Sequence, residues 1–267
     1  MMKKLKMAAC GIDCNECGSY KVTMEQDVKA AEGLVEWYRG MGWIGENEGA
    51  EAVIKKNPLC KGCWNTTEDC FFKCGCHPSR DFRVCCNEKQ INHCGECSDF
   101  PCDDYNEFSG NLEHHKKAME YLLSLRKAEK IVNGSTMHMV GESGLGADWV
   151  MSLTDEEGYP AASMITASRA DGFKWIAFCS GLGWNKSNRA EKDPRSCVYL
   201  FDKESFSGIS LTGKIEIITD SEIKKQMWYD ALGDFWNGFD DERWCILMFK
   251  PERYNIFIDN RTIRGVF

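Results

Sequence analysis

Thirteen of the chain's sixteen cysteines fall between Cys10 and Cys102. Three pairs, Cys14/Cys17, Cys60/Cys63 and Cys94/Cys97, are separated by two residues, the spacing that lets one turn aim two thiolates at one metal ion. Glycine lies inside or just after each pair (Gly18, Gly62, Gly95), which suits a tight knuckle. Two knuckles supply the four sulfurs of a tetrahedral zinc shell, with nearby amides donating to the sulfurs. The candidate metal ligands are Cys10, Cys14, Cys17, Cys60, Cys63, Cys76, Cys85, Cys94, Cys97 and Cys102, and Cys70, Cys74 and Cys86 are also at hand, so two four-sulfur sites are possible, or three. His77 and His93 could each replace a sulfur. Iron uses the same thiolates, singly or in an iron–sulfur cluster, but the ferredoxin run is absent: Pro101 precedes Cys102 where that run has proline after the last cysteine. Zinc is the first expectation, iron the second, and a metal-free redox thiol cluster the third.

Thiols at this density imply a compartment. No apolar run follows Met1-Met2-Lys3-Lys4 before Asp13 and no segment approaches membrane-spanning length, so the expectation is a cytoplasmic protein. There, structural disulfides do not persist, which sets aside a secreted disulfide scaffold. The formal charge is −8 over 267 residues, with 18 basic against 21 acidic residues in 1–130 and 15 against 20 in 131–267. Neither half has the basic excess that phosphate-backbone binding needs, so nucleic-acid and membrane partners are not expected.

The elements that must position these residues divide into two modules. Residues 23–56 carry Val28, Ala31, Leu34, Val35 and Tyr38 at helical spacing, an apolar face for the metal-held loops to pack on, and Trp37, Trp43 and Trp64 read as core. A joining helix over 111–132 follows, with Leu112, Met119, Leu122, Leu125 and Ala128 on one stripe and Asn133-Gly134 as its stop. His114 and His115 in its charged first half read as solvated. From Trp149 the period turns to two. Segments 149–154, 159–167 and 173–179 form a three-stranded meander turning at 156–158 and 170–172; 196–201 and 209–219 are two more strands. Asp220 caps a helix bearing Ile223, Met227, Trp228 and Leu232, and 245–250 with 254–259 close the domain as a hairpin bent at Pro251. Asp240-Asp241-Glu242 reads as an exposed acidic loop. The expected fold class is α+β: a cysteine-rich metal-binding domain with helices (1–110), a connecting helix (111–134) and an antiparallel barrel with an inserted helix (135–267), closed to avoid exposed edges.

Two resemblances follow from these residues. Cys10-Gly-Ile-Asp-Cys14-Asn-Glu-Cys17, Cys60-Lys-Gly-Cys63, Arg83-Val-Cys85-Cys86 and Asn92-His-Cys94-Gly-Glu-Cys97-Ser-Asp-Phe-Pro-Cys102 resemble, over 8–108, a cysteine-rich domain family of unknown function to which zinc binding is ascribed. The spacing departs from that pattern around Cys70 to Cys76, and Cys86 is doubled. In the second half, Gly158-Tyr-Pro160, Ser163-Met164-Ile165-Thr166, Asp171-Gly172, Trp175-Ile-Ala-Phe178-Cys-Ser180, Asn185-Lys186, Asp193-Pro194, Leu211-Thr-Gly213 and Asp220 before a Trp228-bearing helix are similar to the pyridoxamine 5′-phosphate oxidase-like split barrel, in its general-stress-protein branch. That resemblance spans about 128–260 and implies FMN at a homodimer interface. By position, Ser163, Met164, Ile165 and Thr166 would contact the ring and ribityl chain. Phe178, Cys179 and Ser180 would offer backbone groups to the ring edge, and Lys186 would hold the phosphate. A branch-typical arginine before Met164 is Ser163 here.

The residues argue for the phosphate site on their own terms too. Glycine-bearing 181–189 leads into a short helix and combines amides, the Ser187 hydroxyl, Asn185 and the cations Lys186 and Arg189, with Arg169 a further candidate. The leading functional expectation is an FMN-dependent oxidoreductase exchanging electrons with small-molecule donors and acceptors. The flavin would perform the chemistry, and no catalytic residue is nominated. The alternatives are a flavin or haem sensor without turnover, and a zinc-dependent interaction module on a dimeric barrel.

Overall fold

Alternation builds the second half of the chain. Trp149, Met151 and Leu153 are buried while Val150, Ser152 and Thr154 are not, the period-two signature of a strand with one face on a core. The computed structural model describes residues 7–57, 60–62, 64, 82–111, 113–140 and 148–267. The fold is α+β. It divides into two units, Met1–Leu123 and Ser124–Phe267.

In the second unit, β1 (Asp148–Thr154), β2 (Pro160–Asp171), β3 (Trp175–Gly181), β4 (Arg195–Asp202), β5 (Ser207–Ile218), β6 (Trp244–Ile258) and β7 (Arg261–Val266) form one antiparallel sheet in the order β3-β2-β1-β4-β5-β6-β7. β3 also pairs with β6, from Ile176↔Phe249 to Gly181↔Trp244. Six strands therefore close into a barrel, and β7 extends it from β6. One interior rung runs Ile165, Trp149, Leu200, Ile209, Ile256 and Ile263 across neighbouring strands. Full burial of Trp149, Leu200, Ile209 and Ile256 contributes roughly 1.5–3 kcal/mol per aliphatic side chain, and this fixes the register, since a one-residue slip would turn the rung outward.

The expected closing hairpin at Pro251 is not there. β6 runs through Pro251 as one strand, and the pairing shifts between Thr212 and Gly213, so that Gly213 faces Pro251. A bulge tolerates the missing proline N–H, and Gly213 is where the Lys250 carbonyl leaves no room for a side chain. The closing turn is instead Asp259-Asn260, both at positive φ (50° and 58°), as a two-residue hairpin requires. It leads into β7, a strand that the sequence reading missed.

Outside the barrel, α10 (Ser221–Met227) starts where Asp220 accepts from the amides of Glu222 and Ile223 at 3.0 Å each. The segment after it lays Leu232 and Trp236 over Ala177, Trp244, Ile246 and Met248 on the outer face of β3 and β6. Lys224, 2% exposed, donates from Nζ to the Asp241 carbonyl at 2.7 Å and stands 4.7 Å from the Trp244 ring centre. Asp240 and Glu242 are exposed as expected of that acidic loop, but the Asp241 carboxylate is drawn in and staples it through Arg243 and the Asn237 amide.

In the first unit, α1 (Gly18–Glu25), α2 (Val28–Glu32), α3 (Val35–Gly40) and α4 (Ala50–Lys56) are short. Val22, Ala31, Tyr38, Ile44 and Val53 form their core. Val28, Trp37 and Trp64 are substantially exposed, against the expectation. α5 (Phe82–Glu88), α6 (Asp103–Asn111) and α7 (Glu113–Gly134) follow, with the unit boundary inside α7. His115 stacks on Phe108 at 3.8 Å and meets its carbonyl at 2.9 Å, so it is not simply solvated. In the second unit α8 (Met137–Val140) packs by β2, and α9 (Asn185–Lys192) follows β3.

Candidate functional site

β2 changes partner along its length. Residues 160–166 pair with β1, and the strand then pairs with β3 from Ala167↔Phe178 to Asp171↔Trp175, across a bulge between Ala167 and Arg169. Cys179, Ser180 and Gly181 pair with β6 alone. Beyond Ala167 and Phe178 the two strands part, leaving each with one edge unpaired to the other. Such an edge presents backbone donors and acceptors. Ser163, Met164, Ile165 and Thr166 lie on one lip of this split and Cys179 and Ser180 on the other, with Phe178 at its apex. Ser163 and Met164 are exposed, and Ile165 and Thr166 half-buried. The Phe178 ring is inside the barrel, 5.8 Å edge-on from Trp149. Cys179 packs instead on the outer aromatic layer with Tyr229, where burial pushes its thiol up to about 12. Phe178 and Cys179 can therefore offer the split only backbone.

The loop after β3 is tightly built. Gly181 has no room for a Cβ because the Trp184 indole folds over it, and Gly183 is at φ 80°. Asn188 Nδ2 donates to the Gly183 carbonyl at 2.8 Å. Ser187 is buried, with its hydroxyl 2.9 Å from both the Gly181 and Trp184 carbonyls. That corrects the expectation for Ser187: its hydroxyl is committed inward and is no phosphate donor. Trp184 caps α9 without a side-chain hydrogen bond, so the first amides of the helix depend on an outside acceptor. Asn185 is exposed beside them. Lys186 is half-buried, burial lowers its pKa, and no ion pair to it occurs among the described residues. Arg189 reaches Glu156 at 3.3 Å, while its Nε is buried without a hydrogen-bond partner. A desolvated lysine, an orphaned guanidinium nitrogen and uncapped amides are the donors a phosphate monoester would satisfy. Arg169 is exposed on β2 and close enough to lower the pKa of His138 after the effect of burial.

The outer face of the sheet changes character along its strands. At one end, Lys250 pairs with Glu216 at 2.7 Å and Lys214 with Glu252 at 2.9 Å. At the other, Met164, Val150, Tyr199, Ser210 and Asn255 make an uncharged rung that ends at Arg264 on β7, whose Nε donates to Asn255 Oδ1 at 2.9 Å. Beside it Phe206, 67% exposed, sits 5.5 Å from Phe201 and 6.4 Å from Phe257. Aromatic enrichment with loss of charge is the composition of an interface core.

In the first unit, the 14–17 and 94–97 knuckles have the same shape. Cys14–Glu16 and Cys94–Glu96 are 3₁₀ turns, closed by the Cys17 amide to the Cys14 carbonyl at 3.1 Å and the Cys97 amide to the Cys94 carbonyl at 3.0 Å. No disulfide links the twelve described cysteines to one another. Burial raises the Cys17 pKa, and charge on Cys60 and Cys14 adds to it. The Cys94 pKa is raised by its hydrogen bond with Cys86, then by burial and by the charges of Cys86, Cys10 and Cys85. Cys97 accepts from Lys89 Nζ at 3.0 Å, and the same amine meets Asp99 at 2.8 Å. Cys102 is half-buried. Among the described residues no group of three or more His, Cys, Asp or Glu is assembled so as to hold a metal ion. The expectations on Cys63, Cys76 and His77 lie outside the described residues. Cys86, at hand as a further thiol, is fully buried on α5 with Phe82 one turn before it.

The sequence profile of a family described as a protein of unknown function (DUF3795) matches residues 6–107. No curated protein matches the chain. Among solved structures, a protein related to general stress protein 26 of Bacillus subtilis (pyridoxinephosphate oxidase family), from Clostridium acetobutylicum, is 26% identical; the match covers 52% of this chain and 96% of that one, with a TM-score of 0.43. General Stress Protein 26 from Bacillus anthracis is 18% identical over 51% of this chain and 97% of that one, with a TM-score of 0.41. A pyridoxamine 5′-phosphate oxidase-related, FMN-binding protein from Nostoc punctiforme is 12% identical over 44% and 79%, with a TM-score of 0.38.

Proposed function

We propose that the second unit binds FMN in the split between β2 and β3 and works as an FMN-dependent oxidoreductase, in a homodimer. The parting of the strands beyond Ala167 and Phe178 carries this reading, because it leaves two unpaired backbone edges just ahead of a loop with unsatisfied cationic donors. In this reading Ser163 to Thr166 hold the ring and ribityl chain, and the backbone of residues 178–180 holds the ring edge. Lys186, Arg189, Asn185 and the first amides of α9 hold the phosphate. The chemistry FMN supplies when bound is hydride acceptance from a donor such as a reduced nicotinamide, and delivery of electrons to a second substrate or oxygen. Trp184 keeps the phosphate loop in shape by covering Gly181, and the exposed Met164 lip excludes water once covered. The uncharged Tyr199, Phe201, Phe206 and Phe257 face is the surface a second copy would cover.

For the first unit the reading is a structural zinc domain in a reducing, cytoplasmic setting, supported by the density of cysteines and the two matching knuckles. Thiolate and not thiol is the ligand, so a cation would offset the mutual repulsion of the buried sulfurs. The test is an absorption spectrum with metal analysis on protein purified without oxygen, followed by FMN titration and turnover of a reduced nicotinamide. Flavin uptake with nicotinamide oxidation supports the reading. A protein that takes up no FMN at all sinks it.

A further inference from the structure

The turn between β1 and β2 brings an anion to the loop after β3. Residues 155–159 are fixed from within: Asp155 Oδ1 accepts from the Glu157 amide at 3.0 Å and the Tyr159 amide at 2.8 Å, the Asp155 amide donates to the Tyr159 carbonyl at 2.8 Å, and Gly158 sits at φ 91°. The turn continues into the β2 lip, since Thr154 pairs with Pro160 and Met151 with Ser163. From this turn Glu156 reaches Arg189, 33 residues further along the chain, with Nη2 donating to Oε2 at 3.3 Å. The two partners are unequally held. The Arg189 side chain is 22% exposed and that of Glu156 55%, so the cation is built into the fold and the anion leans in from solvent. Buried Ser187 and Ala190 seat α9, and Lys186 and Arg189, three residues apart, share a neighbouring face of it. The contact also leaves the guanidinium unsatisfied: 3.3 Å is long beside the roughly 2.7–2.9 Å of a charge-assisted hydrogen bond, and Arg189 Nε is buried with no partner. Among the described residues Glu156 is the one carboxylate in ion-pair range of Arg189 or Lys186.

We propose that Glu156 is a resident competitor for the phosphate site: in the free protein its carboxylate holds Arg189, a phosphate monoester takes its place, and the exchange lowers FMN affinity without touching the flavin ring. The inference rests on the FMN reading above and goes past it by naming a positioning residue that acts through Arg189 and sets how strongly the phosphate counts in recognition. A phosphate satisfies the guanidinium better than this carboxylate does, because it can present two oxygens to the fork at once. A largely exposed partner is also released at little cost. Glu156 thus keeps a desolvated cation partnered while the site is empty and keeps the flavin exchangeable when it is filled.

The experiment titrates the full chain with FMN and, separately, with riboflavin, which has the same ring and ribityl chain but no phosphate. Glu156→Gln should bind FMN about 2- to 5-fold more tightly than wild type, the range an exposed ion pair spans, and should bind riboflavin as wild type does. Glu156→Ala, at the same exposed turn, is the second variant and should shift the two ligands in the same way. In an Arg189→Ala background the gain from Glu156→Gln should shrink towards none, because the competition is for that guanidinium. A role in shaping the turn alone would move FMN and riboflavin together. If both ligands shift equally, if neither shifts, or if the gain survives intact without Arg189, Glu156 is no competitor although the FMN reading stands. A wild-type chain that binds neither flavin overturns both.

Discussion

Ala167 on β2 faces Phe178 on β3, and this pair is the last that the two strands share before they part. Phe178 is held by the barrel interior, whereas the bulge that follows Ala167 turns Arg169 out to solvent. The split thus follows from a core contact and a backbone irregularity placed side by side, and two predictions concern its candidate cofactor site and two the stability of the barrel unit.

Lys186→Ala should weaken FMN binding, read by quenching of flavin fluorescence, by roughly 10- to 150-fold, the equivalent of about 1.5–3 kcal/mol for a charge-assisted hydrogen bond. Because burial lowers the Lys186 pKa, wild-type affinity should begin to fall at a pH below the ordinary lysine range, and the variant should lack that alkaline limb. A variant that binds as tightly as wild type removes Lys186 from the phosphate site.

Ser163→Arg should act in the opposite direction. Ser163 is exposed on the β2 lip, so an arginine there meets no packing obstacle and adds a bidentate phosphate donor. FMN affinity should rise by about 5- to 30-fold, on the order of 1–2 kcal/mol. Unchanged affinity in calorimetric titration would place the phosphate away from this lip.

Lys224→Ala should destabilise the barrel unit by about 2–4 kcal/mol in urea unfolding followed by tryptophan fluorescence, from a lost charged hydrogen bond and a cation–π contact. The Asp241 carbonyl and the Trp244 ring would lose their only buried cation among the described residues. A loss under 0.5 kcal/mol would mean that the loop over β6 is held by its aromatic residues alone.

Acid should weaken the same unit. Arg195 hydrogen-bonds Asp193 at 2.7–3.2 Å and brings its pKa down to about 2, and Arg243 together with the Asn237 amide holds Asp241 low as well. A depressed folded pKa gives stability that is present above the ordinary aspartate value and is lost as pH falls through the folded one. The thermal midpoint should therefore hold from pH 7 to about pH 4 and drop towards pH 2. Asp193→Asn should melt lower at pH 7 and show a shallower acid drop; an identical pH profile would contradict the assignment.

Much of this was legible in the chain itself. Alternation at Trp149, Met151 and Leu153 fixes a strand, Asp220 fixes a helix start through its own carboxylate, and two-residue spacing fixes the Cys14 and Cys94 knuckles, because each depends on neighbours a few residues away. What depends on distant neighbours was not legible. Pro251 reads locally as a break, yet β6 passes through it because Gly213, on another strand, lets a bulge form there. Ser187 reads as a phosphate donor until the Gly181 and Trp184 carbonyls claim its hydroxyl. Cys85 and Cys86 are equivalent as letters, and only the packing of α5 buries one completely. The spacing of residues sets local geometry through short-range sterics and hydrogen bonds. Closure of β3 on β6 and the split beside it are settled by which surfaces exclude water together, a property of the assembled fold.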